Sequence, residues 1–325
     1  MAVTAMGWNQ IVSVKETDGS TWKAIKVSDY NVGVKNEFET PALISGLTDK
    51  ITWSKGLITV EGDISAPLTQ TLAGNLLKYG LYDSVTQNLT QIDVKCTISN
   101  PTRNAMINSL SITATAEEFI QTKVSLWGVL GDTTGQYTSS YTDIENPIYE
   151  INSDAVYFTA STAAHYPATY SDSSTGYGVN DTTIKLEQIP MFDQVTNVKS
   201  LMPDATMGEP ISVSFEVDNK LMRNYTLGQN TLDAYSVSAG QREVTGEITW
   251  QSNDGQLGYI TIGGTKALSG TISFGGIINL NVTNVVALYG AAPPVLTVND
   301  RVTASCRYQL LNTKYGFMAI SITEV

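Results

Sequence analysis

One histidine, two cysteines and a charged fraction of 15% are what this chain of 325 residues has least of. With His165 alone in a Ser- and Tyr-rich stretch, a Ser-His-Asp triad or a two-histidine zinc site has almost nothing to be built from, and a solvated loop histidine is the simpler reading. Cys96 and Cys306 both sit in strand-like runs, and the opening "MAVTAMGWNQIVSVKE" has neither the basic nor the apolar region of a secretory signal. Folding in a cytoplasm is therefore expected, with both thiols reduced and acting as small apolar groups.

Basic residues are also scarce, and the net charge of −12 excludes a general phosphate-binding surface, since non-specific nucleic-acid affinity comes mainly from Lys and Arg. The excess is local: residues 131 to 190 hold 8 acids and 1 base, against 12 and 10 before them and 11 and 8 after. Long apolar runs are missing too. The longest uncharged stretch, 267 to 299, is broken by Gly275, Gly276, Asn279, Asn281, Asn284 and Pro293 and alternates like strands, which excludes a membrane helix there.

What is abundant is Ser, Thr, Asn, Gly and β-branched residues, a composition of strands and turns, so the chain is expected to be all-β with minor helix. Its length allows two domains with a buried core each. One helix is predicted, in "SAPLTQTLAGNLLKYG": Leu68, Leu72, Ala73, Leu76 and Leu77 recur at helical spacing, with Ser65 as cap, Pro67 in the first turn and Gly80 as stop.

Two passages repeat. When "NVGVKNEFETPALISG" is laid on "SVSFEVDNKLMRNYTLG" at Asn36 and Asn219, Val32 and Val34 match Phe215 and Val217. "LITVEGDI" and "REVTGEIT" then follow at nearly the same distance, 24 positions from Asn36 to Val60 and 25 from Asn219 to Val244. Val60, Gly62 and Ile64 fall on Val244, Gly246 and Ile248, Asp63 falls on Glu247, and "MINSLSI" (106 to 112) resembles "VTNVVAL" (282 to 288). Order, spacing and a paired glycine together indicate one unit used twice. The predicted division is a first domain over 1–130, a linker or surface insertion over 131–185 and a second domain over 186–325.

Motifs of catalysis are weak. "GYITIGGTK" has the glycine spacing of a phosphate loop, but Gly264 stands where its lysine would be, and "DSSTGYGVND" lacks the alternating ligands and final glutamate of a calcium loop. The first reads as a strand and a turn, the second as a plain loop, and no cofactor or metal is expected. Strand periodicity puts Glu243, Thr245, Glu247 and Thr249 on one face, as it does Thr59, Glu61 and Asp63 in the first copy. Such rows describe a wall and not a pocket with unequal acids.

"SFEVDNKLMRNYTLG" followed by "GQREVTGEITW", with "NVTNVVALYGAAPPV" leading into a final strand pair, resembles the tail tube proteins of tailed bacteriophages, in particular the class with two tube-type domains per subunit. The likeness is strongest from about residue 205 onward and fainter in "VKNEFETPALISG", "LITVEGDISAPL" and "VKCTISNPTRNAMINSLSITATAEE"; residues 131 to 185 have no counterpart. The resemblance implies β-sandwich or barrel domains, each giving a sheet to a shared ring. It also implies a structural, non-enzymatic virion protein, assembled in the host cytoplasm into stacked rings through which DNA is ejected.

Two units per chain would let three chains supply six units. At four strands per unit, ~24 strands spaced ~4.8 Å apart give a diameter of ~37 Å, more once they tilt. On the same ground the loops after Asn36 and Asn219 reach neighbouring subunits, with Asn36, Phe38, Asn219, Leu221, Arg223, Tyr225, Leu227 and Gly228 as contact candidates. Glu61, Asp63, Glu243 and Glu247 would face the lumen, where they repel phosphate and let DNA pass without specific binding. The implied partners are further copies, the tail terminator, tape measure, baseplate or tail-tip proteins and a sheath, with no membrane. Two other classes stay open: a glycan-binding β-sandwich module or adhesin presenting Tyr166, Tyr170 and Tyr177, and a β-rich hydrolase with scattered carboxylates.

Overall fold

A computed structural model of the chain describes residues 12–19, 23–39, 54–80, 89–96, 102–130, 189–224, 236–251, 264–291, 303–313 and 320–324. The first half contributes β1 (Val12–Glu16), β2 (Lys23–Ile25), β3 (Asp29–Tyr30), β4 (Gly33–Glu39), β5 (Ser54–Pro67), helix α1 (Gln70–Asn75), β6 (Ile92–Cys96), β7 (Thr102–Thr115) and β8 (Gln121–Leu130). The second contributes β9 (Val195–Thr196), β10 (Glu209–Asp218), β11 (Met222–Asn224), β12 (Ser236–Ser238), β13 (Glu243–Gln251), β14 (Thr265–Phe274), β15 (Ile278–Ala291), β16 (Thr303–Asn312) and β17 (Ile320–Glu324). Fifteen of these strands form one curled antiparallel sheet, and β11 and β12 form a separate hairpin.

The repeat is written into the pairing. In the first half the sheet runs β4, β5, β8, β7, β6, β1, and in the second it runs β10, β13, β16, β15, β14, β9, so strands at the same place in the chain take the same place in the sheet. Register agrees as well. Asp29 faces Ser65 and Lys35 faces Thr59 in the first half, as Ser212 faces Thr249 and Asp218 faces Glu243 in the second. Val60 then faces Gly128, as Val244 faces Leu310. Because a slip of one residue would turn every buried side chain outward, this agreement follows from the matched alternation of the two sequences.

The match of "MINSLSI" with "VTNVVAL" is not carried by the sheet. Ile107 faces Leu126 and Tyr289 faces Tyr308, and since Leu126 and Tyr308 hold equivalent places, Ile107 corresponds to Tyr289 and not to Thr283. The β14–β15 hairpin is longer than its counterpart, extending through 270–282 to pair with β9 and β17. That extension displaces the similar letters along the strand.

The halves are joined within the sheet. Seven residues of β10, Ser212 to Asp218, pair with Thr115 to Ser109 of β7, while β7 keeps β8 on its other side. Instead of a core for each domain, one buried cluster runs through both, from Val14, Ile64 and Leu76 to Phe215, Trp250 and Phe274. The Phe215 and Phe274 rings meet at 5.2 Å, tilted by 54°.

The predicted helix forms, but later than expected. β5 runs on to Pro67, so Ser65 and Pro67 belong to a strand, and Thr69 caps α1 by accepting from the Leu72 amide at 3.2 Å. A 3₁₀ turn over Leu77–Gly80 follows, and the buried Leu72, Ala73, Leu76 and Leu77 face the core. Cys96 and Cys306 are buried and unpaired, as expected. Among the described residues no helix is long and apolar enough to cross a membrane. Residues 131–185, with His165, Tyr166, Tyr170 and Tyr177, lie outside the described residues, as do the glycine motifs at 172–181 and 258–263.

Candidate interaction surface

The polar face of the sheet is built by strand alternation. Along β13, Val244, Ile248 and Trp250 are buried while Glu243, Thr245, Glu247 and Thr249 are half-buried on the other face; β5 does the same with Val60, Ile64 and Ala66 against Glu61, Asp63 and Ser65. The acids share a face as predicted, yet they do not form a bare acidic wall. Glu61 pairs with Arg223 at 2.5 Å, Asp63 with Lys123 at 2.9 Å, Glu243 with Lys220 at 3.1 Å and Glu247 with Arg307 at 3.7 Å. The Gln309 amide also donates to Glu243 at 2.8 Å. Hydrogen bonds from the Lys220 ammonium to Asp218 first and Glu243 second raise its pKa.

The loop candidates divide. Tyr225, Leu227 and Gly228 lie outside the described residues, and of Asn36 and Phe38 only the β4 backbone is described. Asn219 is fully buried inside its own chain. Its Nδ2 donates to the carbonyls of Gly80 at 3.0 Å and Ile107 at 2.9 Å, and its backbone amide donates to Asn108 at 2.8 Å. Those bonds pin the start of the second-half loop to the first half, so Asn219 is unavailable as a contact to another subunit.

Leu221 and Arg223 also turn back onto the first half. Leu221 is buried with Leu89, Met106 and Val237, against which Trp127 packs. The Arg223 guanidinium lies 4.2 Å from the Trp127 ring centroid while pairing with Glu61, so one side chain combines a cation–π contact with an ion pair. The β11–β12 hairpin thus lids the polar face over β7 and β8. Its floor is one cross-strand row, Glu61 opposite Trp127 opposite Met106.

Among the described residues no such lid covers the corresponding place in the second half. There the face opens into a concavity of about 710 Å³ over Glu216, Glu243, Thr245, Glu247, Arg307 and Gln309, with Leu288 at its rim. Sequence reasoning missed Glu216, which shares the face with Ser214 by alternation against Val213, Phe215 and Val217, and missed Lys123 and Arg307, which sit one strand away from the acids they neutralise. Glu216 has no ion-pair partner among the described residues. No group of three or more His, Cys, Asp or Glu suited to a metal gathers among the described residues either. Set beside known proteins, the chain matches no family model and no curated protein.

Proposed function

We propose that this is a structural, non-enzymatic protein that assembles with copies of itself into stacked rings, as tail tube subunits of bacteriophages do, and that it serves as the virion tail tube for DNA ejection. The observation that carries the reading is the unbroken row β4, β5, β8, β7, β10, β13, β16, β15, four strands from each half. Its central joint, β7 with β10, links two equivalent units edge to edge, and a joint of that kind can recur between chains. Three chains would then supply ~24 strands and a lumen ~37 Å or more across. Closure would also remove open strand edges that otherwise invite aggregation.

The polar face supports passage without binding, though by a different route from the one the acid rows suggest. Lys123, Lys220, Arg223 and Arg307 are each engaged by a carboxylate, so the wall offers phosphate few free cations. By the same reading the partners are further copies, the proteins closing the two tube ends, a tape measure and a sheath.

Electron microscopy of the purified full-length protein, with sedimentation across a concentration series, tests this. Rings or tubes with a central channel are expected. Monomers at every concentration, together with binding to a glycan array, would transfer the chain to the glycan-binding class.

A further inference from the structure

Two leucines are exposed where the repeat says a lid belongs. Thr245 faces Gln309 and Gln309 faces Leu288, the same row in the second half that Glu61, Trp127 and Met106 form in the first. Met106 is 8% exposed beneath Leu221, whereas its counterpart Leu288 is 37% exposed and Leu311, two residues beyond Gln309 on the same strand face, is 39% exposed. The first-half row carries residues 219–223 from its own chain. The second-half row carries nothing from the described residues.

In the sequence repeat 219–223 matches 36–40, of which 36–39 belong to β4 at the far end of the strand row. Asn36 matches Asn219, Phe38 matches Leu221 and Thr40 matches Arg223. Across the lidded contact Arg223 meets Glu61; in the equivalent contact the matching residues are Thr40 and Thr245, so both charges are replaced together and neither is left without its partner. The apolar half of the contact is preserved in kind, Leu221 against Met106 becoming Phe38 against Leu288. A buried charge stranded by loss of its partner is costly, so paired replacement is what a conserved contact between units requires.

We propose that the patch of Thr245, Gln309, Leu288 and Leu311 is the docking surface for a second copy of this chain, entered by the segment beginning at Asn36. This rests on the self-assembly reading above and adds where one chain meets the next. The contact joins unlike surfaces, so it propagates head to tail and closes into a ring or extends into a filament. It repeats between chains what 219–223 does within one.

The test uses the full chain and sedimentation velocity. Leu288→Asp and Phe38→Asp should each lower the assembled fraction by about tenfold or more, a shift of ~1.4 kcal/mol in the contact, and thermal unfolding of Leu288→Asp should be unchanged because Leu288 is exposed. Since each variant blocks a different end, mixing them should give a dimer that grows no further. Thr245→Glu alone should weaken assembly, and adding Thr40→Arg should restore it by re-creating the Arg223–Glu61 pair between chains; this second arm decides the matter if Leu288→Asp fails to fold. Wild-type protein that stays monomeric sinks the self-assembly reading. Wild-type rings with undiminished assembly of Leu288→Asp and Thr245→Glu would leave that reading standing and overturn the docking surface.

Discussion

Gly246 of β13 stands directly opposite Tyr308 of β16, and the tyrosine ring occupies the space a side chain at 246 would need. The Tyr308 hydroxyl reaches past the glycine to donate to the Ser214 carbonyl at 2.7 Å, tying three neighbouring strands together. A Cβ at 246 would lie 2.2 Å from both that hydroxyl and the Ser214 oxygen. Gly62, its equivalent in the first half, is needed for a different neighbour: a Cβ there would meet the Val32 Cα at 2.5 Å and the Asn31 oxygen at 2.6 Å.

Gly246→Ala should therefore destabilise the fold by ~1–3 kcal/mol or more, the usual cost of overpacking, because the obstacles are backbone and a buried ring. Tyr308→Phe should cost only ~1 kcal/mol, the net worth of one hydrogen bond. Urea titrations of the three proteins measure both; an alanine variant as stable as the parent would refute the packing.

Asn219 gives a pH-dependent case. Replacing it with Ala removes the donor from two carbonyls, Gly80 and Ile107, in a buried place, and an unmet buried group costs ~1–3 kcal/mol. Asn219→Asp sets a carboxyl against the same two acceptors. Burial and those acceptors disfavour its charged form, so its folded pKa must rise above the ~3.9 of an unfolded Asp. The sign follows: the protonated acid can still donate one bond at low pH, and the variant loses stability relative to the parent as pH climbs from about 4 toward neutrality. A stability difference flat from acid to neutral pH would contradict this.

Arg223 holds the β11–β12 lid by its ring contact and its ion pair. Arg223→Ala should raise amide hydrogen exchange at 236–238 while leaving β13 and β16 protected, a local loss on the order of 1–2 kcal/mol for a partly buried pair with cation–π support. Arg223→Lys should rescue little, since an ammonium cannot stack on Trp127 and reach Glu61 with the same planar group.

The strand skeleton was readable because burial alternates faithfully: Val244, Ile248 and Trp250 inward, Glu243 and Glu247 outward. The repeat between the two copies was readable for the same reason, up to β5 and β13. Beyond that it failed. Register shifts between Arg103 and Met106 and between Ile107 and Ser109, with a longer hairpin in the second half, move β7 against β15 without a mark in the hydrophobic pattern. Nor could one strand reveal its neighbours' charges. Lys123, Arg307 and Arg223 lie 60, 60 and 162 positions from the acids they pair with, and only sheet order brings them close. Thr69 was overlooked as a cap because nothing local shows that β5 continues through Pro67.

Cys306 should resist alkylation in the folded protein. Burial first, and the Glu247 charge second, push its thiol from 9.0 up to about 12. The thiolate is the nucleophile, so at roughly pH 9 the native protein should take up iodoacetamide at Cys306 far more slowly than the urea-unfolded chain, as read by mass spectrometry. For linkage, the raised folded value means that the thiol's contribution to stability is complete below the unfolded pKa and is lost as pH rises through the folded one. Equal labelling of native and unfolded protein would show that the site is open.

Freeing a cation on the polar face tests whether ion pairing keeps that face indifferent to DNA. The Arg307 side chain is 83% exposed and, among the described residues, is held by a contact of 3.7 Å to Glu247, so Glu247→Gln releases it with little cost to the fold. Duplex DNA should then bind the assembled protein more tightly at low salt, and the slope of log K against log salt should steepen by about 0.9 for each phosphate newly contacted. Glu216→Gln, which removes an acid without freeing a base, should leave that slope unchanged although it lowers the negative charge equally. The two variants separate local pairing from net charge: equal slopes in both would mean that summed charge, and not the ion pairs, governs how this surface meets phosphate.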